Sequence, residues 1–381
     1  MRTSSLVAFA ASIVVSWAVP ARGADTVKVG ALLAVTGPAS MLGAPEAKTL
    51  QMLVDEANAR GGLAGHRVEL IVKDTGASPE KAISFAKQLI NEDKVLAIIG
   101  PTTSGETMAV KNLAEESKTL LISCAAAEVI VQPVAKHVFK TPQKDSDAVL
   151  AIFRQMKKMG VKRIGVLSSN TGFGKAGKEQ VEKLAPHSGI QIAASEVYDK
   201  AATDLTAEVT KIKAANVDAL LNWSIEPAQA IVIKNARQIG LTIPIFQSHG
   251  FGNVQYARAA GAAAEGVLFP AGRLVVVDTL PASNPQRPVL AAYKKDYETR
   301  FKEDVSTFGG HAYDAWLMLA TAVKKAGGVD PEKVRAALEH VQGLVGTGGI
   351  FNLSPTDHNG LDINAFEMIT VKDGRFVPLA N

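Results

Sequence analysis

The feature that most constrains this fold is a repeated alternation along the chain. Short apolar runs trade places with helix-like stretches from the start of the ordered pattern to about residue 270. VKVGALLAV (27–35), VELIVKD (68–74), VLAIIG (95–100), TLLIS (119–123), RIGVLSS (163–169), DALLNW (218–223) and IPIF (243–246) read as buried strands. Nearly continuous apolar runs of this length fit strands covered on both faces. Between them lie amphipathic segments. In SPEKAISFAKQLINED, Ser78 is a helix cap, Pro79 suits the first turn, and Ala82, Phe85, Ala86, Leu89 and Ile90 share one face. Such an order predicts parallel sheets wrapped by helices on both sides. Aromatic residues are only 6% of the chain against 47% hydrophobic, which suits small-residue helices on β-branched strands.

With 381 residues the chain is long enough for two domains. An internal echo says how they are built. VKVGALLAVTG (27–37) resembles VKRIGVLSSNTG (161–172): in each, a strand glycine (Gly30, Gly165) is followed six residues later by Thr-Gly. Two similar lobes are expected, each opening with the same strand–loop–helix unit. Ligands of such sheets bind beyond the carboxyl ends of the strands, so facing lobes would bring both Thr-Gly loops to one cleft. KTPQKDSD (140–147) reads as a link between lobes, and GTGGIFNLSPTDHNG (346–360) as a second one. INAFEMITV and RFVPL form a last strand pair through Lys372-Asp373-Gly374.

The N-terminus has the pattern of a removable export signal: Arg2, an apolar run from Leu6 to Val19, Pro20, then Ala21-Arg22-Gly23. Cleavage is expected after Gly23. An apolar run this short falls below the roughly 20 residues that span a bilayer. Removing Arg2 and Arg22, with no acids beside them, lowers the formal charge from +4 to +2, which implies neither nucleic acid nor a membrane surface. Cys124 is the single cysteine, so no internal disulfide forms and no cysteine near the cut can carry a lipid. Seven histidines are scattered without metal-ligand spacing, and no nucleophile elbow is present. No metal and no cofactor are expected. One motif points elsewhere: GFGKAG (172–177) has the written form of a dinucleotide fingerprint after a strand.

The stretch DEANARGGLAGHRVELIVKDTGASPEKAISFAKQLINEDKVLAIIGPTTSG resembles the opening of the periplasmic branched-chain amino-acid-binding proteins. The likeness continues through ISCAAA (122–127), NTGFGKAG (170–177), EPAQAIVIKNARQIGLTIPIF (226–246), GAAAEGV (261–267) and AYDAWLMLATAVKKAG (312–327). It implies an α/β type I periplasmic binding fold: two doubly wound parallel-sheet lobes joined by a three-strand hinge. Residues 24–143 and 272–348 would form lobe 1, and 144–271 with 349–381 lobe 2. It also gives GFGKAG another role, because family members carry an aromatic–Gly pair at this loop, matched by Phe173-Gly174, that packs on ligand from the second lobe.

The resemblance implies a carboxylate site at Ser104 and the segment Ala125-Ala126-Ala127. Both sit at starts of helix-like segments, whose open N–H groups favour an anion. Glu106 is expected to be only a favourable first-turn acid. Two departures bear on the ligand. Amino-acid binders of the family have a hydroxyl where this chain has Ala127, and an acid where it has His249, followed by Gly250. An ammonium without acceptors in a closed cleft carries a heavy desolvation cost. The expected ligand is therefore a small carboxylate, aromatic or bearing a 2-oxo group, with His249 either donating to a carbonyl oxygen when neutral or pairing with the carboxylate when protonated. Two alternatives stay open: Glu226 takes the acid's role, or His249 is a structural loop residue. Leu42, Thr102, Phe173, Trp223, Ser224 and Phe308 are expected in the side-chain pocket, with a core role for Trp223 as the alternative. Cys124 and Tyr313-Asp314 read as structural. The expected protein is a periplasmic monomer that captures an organic carboxylate for the membrane permease of an ABC importer. Hydrophobic amino-acid binding is the runner-up. A ligand-sensing module and an exported dinucleotide enzyme are rivals of other classes.

Overall fold

The computed structural model describes residues 26–380, so the expected export segment lies outside the described residues. The chain begins with β1 (Thr26–Leu33), α1 (Ser40–Ala59), β2 (Arg67–Asp74), α2 (Pro79–Asn91), β3 (Ala97–Ile99), α3 (Ser104–Ser117), β4 (Leu120–Ser123) and β5 (Val138–Lys140). These five strands form one parallel sheet in the order β2-β1-β3-β4-β5. Strand alternation divides its core. Val29, Ala31 and Leu33 point to one side, while Leu32 joins Ala82, Ala86 and Leu89 on the other. Ser78 accepts from the Lys81 amide and Pro79 opens α2, as the sequence requires.

The chain then crosses to a second lobe through residues 141–144. There follow α4 (Asp145–Lys158), β6 (Arg163–Ser169), α5 (Gly172–Leu184), β7 (Gln191–Tyr198), α6 (Thr206–Ala214), β8 (Ala219–Trp223), α7 (Ala228–Gln238), β9 (Ile245–Gln247), α8 (Val254–Ala260) and β10 (Leu268–Ala271). Its parallel strands run β7-β6-β8-β9-β10, the same order as in the first lobe. The two echo strands, β1 with Gly30 and β6 with Gly165, hold the same place in that order. After β10 the chain returns to lobe 1 with α9 (Arg287–Phe301), α10 (Thr307–Ala326) and α11 (Pro331–Leu338), then a small hairpin of β11 (Leu344–Val345) and β12 (Ile350–Phe351).

The last crossing comes later than the boundary at residues 348–349 read from the sequence. Phe351, Leu353, Leu361 and Ala365 still share the first lobe's core with Ala312, Trp316 and Leu319 of α10. Only then does the chain supply β13 (Glu367–Lys372) and β14 (Arg375–Pro378), which pair antiparallel at the edge beside β10. The second sheet is therefore mixed. Asp314 of α10 pins the late segment: it accepts from the amides of Thr347 (2.6 Å) and Gly348 (2.7 Å) and from the Thr347 hydroxyl (3.0 Å). No helix among the described residues is long and apolar enough to cross a membrane.

Candidate functional site

In both sheets the order reverses beside the first strand, between β1 and β3 and between β6 and β8. Crevices for ligands open at such points, outside the carboxyl strand ends. The loops after β1, β3 and β4 face those after β6, β8 and β9. Between them lies a narrow cavity of about 20 Å³ lined by both lobes. Leu42, Thr102, Ser104, Ala125, Ala126 and Phe308 come from lobe 1, and Phe173, His249 and Gly250 from lobe 2. These are nine of the residues singled out from the sequence. Cys124, Pro142, Ile225 and His311 complete the wall. A cavity this small has room for about one water, so an organic ligand enters only as the lobes part.

The lobe 1 face is a set of amide donors. Thr103 caps α3: its hydroxyl oxygen accepts from the Glu106 amide, and Glu106 Oε2 accepts from the Thr103 amide (3.2 Å) and hydroxyl (2.6 Å). This reciprocal cap is the structural role expected of Glu106. It leaves the first-turn N–H groups of Ser104 and Gly105 open. Ser104 Oγ accepts from the Ala127 amide at 3.2 Å, which leaves its own proton to give. The Ala125 amide donates to Ser123 Oγ at 3.1 Å. The Ala126 amide, between these two, has no bond to any described residue. Of the three alanines, only Ala126 therefore offers a free N–H, and Ala127 packs into the lobe's core.

The lobe 2 face is aromatic. Phe173 and His249 stand 5.3 Å apart, edge to face, with Phe366 on the far side of His249 at 5.7 Å. Trp223 does not line the cavity. It is fully buried behind Phe173 (5.8 Å) and His249 (5.6 Å) and packs on Gly177, so the core alternative describes it. Ser224 also lies outside the wall, its hydroxyl donating to Glu226 Oε2 at 2.8 Å. Gly250 is required by close approach: a Cβ there would stand 2.5 Å from the Ser224 carbonyl oxygen. Thr102 faces the cavity, but its hydroxyl donates to the buried Glu46 and accepts from the Ala34 amide (3.0 Å).

His311 was missed from the sequence, where it sits inside the apolar pattern of α10. It reaches the cavity from the first turns of that helix, beside Phe308. Burial, then the nearby Lys140 charge, lowers the His311 pKa to about 3. The same two causes, with His311 itself, hold His249 well below the usual imidazole range. Both rings are therefore neutral near pH 7. Asp145 stands behind His249, its Oδ1 3.7 Å from Nε2, and burial raises its pKa. Burial also pushes the Cys124 thiol far up, which fits its inert reading.

A second recess, about 380 Å³, lies at the cleft mouth between Pro38, Ala39 and Gly105 of lobe 1 and Thr171, Gly172 and Glu226 of lobe 2. The two echo loops do meet there. Thr36 itself turns away to Asp74, and Thr171 caps α5 through the Gly174 amide. GFGKAG is thus a helix start facing the other lobe.

Residues 26–375 match the family described as periplasmic binding protein. The chain belongs to that family. The binding protein is 27% identical over 361 residues to the leucine-, isoleucine-, valine-, threonine- and alanine-binding protein of Pseudomonas aeruginosa, covering 94% of each chain. An extracellular ligand-binding receptor from Rhodopseudomonas palustris superposes with a TM-score of 0.87 at 28% identity, over 93% of this chain and all of that one. A branched-chain amino acid transporter substrate-binding protein from Streptococcus pneumoniae, solved with isoleucine, gives 0.81 at 26% identity, over 92% of this chain and 98% of that one. The family consists of binding proteins, so this periplasmic solute receptor of ABC-type transport is not an enzyme.

Proposed function

We propose that this binding protein captures a small organic acid without an ammonium group, an aromatic or 2-oxo carboxylate, and delivers it as a monomer to the membrane permease of an ABC importer. Export would remove the segment ending at Gly23. The observation that carries the ligand class is the cavity wall: among the described residues it includes no carboxylate. The position where amino-acid binders resemble each other in an acid holds neutral His249. Glu226, the other candidate acid, lines the outer recess and is already bonded to Ser224 and the Ile225 amide (3.2 Å). The Lys140 charge that disfavours protonation of both cavity histidines would equally oppose a ligand cation. On the anionic side, Ser104 and the amides of Ser104, Gly105 and Ala126 are set for a carboxylate. Each hydrogen bond to a charged group contributes about 1.5–3 kcal/mol.

Branched-chain amino acids are the second reading, favoured by the Pseudomonas relative's binding of leucine, isoleucine and valine. A thermal-shift panel separates the two. Leucine, valine and phenylalanine are run against their 2-oxo counterparts and simple aryl carboxylates. The proposal expects melting to rise with the acids alone. A strong rise with leucine and none with the acids would reverse it.

A further inference from the structure

The carboxylate receptor leaves part of the cavity's polar surface unused. His249 Nδ1 and Nε2 and His311 Nδ1 are all buried without a hydrogen-bond partner among the described residues, with Asp145 Oδ1 3.7 Å behind His249 Nε2. Leaving a buried polar group unsatisfied costs about 1–3 kcal/mol. Three such atoms on two rings that line one cavity point to a ligand that satisfies some of them. The two rings also come from different lobes. His249 lies on the loop after β9, and His311 on α10, whose buried face packs in lobe 1. Both line the same cavity.

We propose that the site selects acids carrying a second oxygen, a keto or hydroxyl group, which His249 and His311 bind from opposite lobes, making His311 a specificity-determining residue. This rests on the carboxylate reading above. The chemistry follows from the protonation state. A neutral imidazole has one N–H donor and one acceptor nitrogen. A keto oxygen accepts from a ring N–H, and a hydroxyl can accept from one ring and donate to the other. A plain hydrocarbon group at the same place would leave both rings unsatisfied. Because the contact needs both lobes, it exists only when they are closed. It therefore favours closure as well as binding.

The test is calorimetric titration with ligand pairs that differ by one oxygen: benzoylformate against phenylacetate, and 4-hydroxybenzoate against benzoate. The wild-type protein is expected to bind the oxygenated member of at least one pair roughly tenfold tighter or more. His311→Phe is expected to reduce that preference, the ratio of affinities within a pair, to about twofold. Affinities within about twofold across both pairs in the wild type would overturn the inference without any variant. A full preference retained in His311→Phe, and again in His311→Leu, would remove His311 from the role. If neither pair binds while leucine does, the carboxylate reading fails and takes this inference with it.

Discussion

Ser104 does two things at once. Its oxygen accepts from the Ala127 amide, which leaves its proton free for the proposed carboxylate. Ser104→Ala should therefore weaken ligand binding by about 1.5–3 kcal/mol, roughly 10- to 150-fold, read by calorimetry. His311 makes a second, independent prediction. Its folded pKa of about 3 lies below the ordinary 6.5, so between those values the unfolded chain binds the extra proton. Stability must then fall as pH drops through that window, and it is fully present above it. His311→Phe removes this contribution. Its unfolding free energy, measured by denaturant titration from pH 6.5 downward, should depend on pH less steeply than the wild type's, by about 1.4 kcal/mol per unit within the window. Equal slopes would mean that His311 is charged or exposed in the folded state. At this scale the sequence was legible where a residue stands next to a loop signal. Ser104 and Phe173 follow strand ends and lie at helix starts, so their direction could be read. His311 could not, because a polar residue in HAYDAW looks like a lapse in an apolar face until the facing lobe is known. Trp223 failed in the opposite sense: it ends a strand near the site, yet it backs Phe173 and His249 instead of lining the wall.

Two helix starts meet closely across the cleft. A Cβ on Gly172, which opens α5, would lie 2.8 Å from the Gly105 nitrogen and 2.9 Å from its Cα, in the first turn of α3. The neighbours are backbone and cannot swing away. Gly172→Ala should hold the lobes apart and leave each lobe's core untouched. Overpacking of this kind costs about 1–3 kcal/mol. Ligand affinity should fall by roughly 5- to 150-fold, with small-angle scattering showing a larger radius of gyration in the presence of ligand. Unchanged affinity and radius would mean that closure does not bring these helix starts together. Long buried strands were legible as apolar runs, and the helices between them as amphipathic ones. β7 was not read as a strand, because it lies at the sheet edge and all its side chains but Tyr198 are exposed or half-buried. β5 is only three residues long and offers too little pattern. The late crossing escaped notice because Leu361 and Ala365, which tie it to lobe 1, sit in a polar, turn-rich stretch whose core contacts are all distant in sequence.

At the scale of the molecule, two lobes of like topology close over one cavity. Besides the glycine pair, the closed cleft is held by Asn253 Nδ2 donating to the Met41 carbonyl (3.0 Å) and by the Thr307 amide donating to the Gly252 carbonyl (3.0 Å). The Arg258–Asp304 ion pair (2.7 Å) and the Glu128 amide donating to Asp145 Oδ2 (3.3 Å) add to these, and ligand contacts to both faces add further to the closed state. In the proposed reading those contacts are a carboxylate on helix-start amides and neutral His249 where an amino-acid binder would need an anion. Phenylalanine and phenylpyruvate differ at that one point, so calorimetric titration of both tests the account directly. It predicts that the keto acid binds at micromolar or tighter affinity, and the amino acid about a hundredfold or more weaker. Phenylalanine or leucine binding more tightly than its keto acid would contradict it.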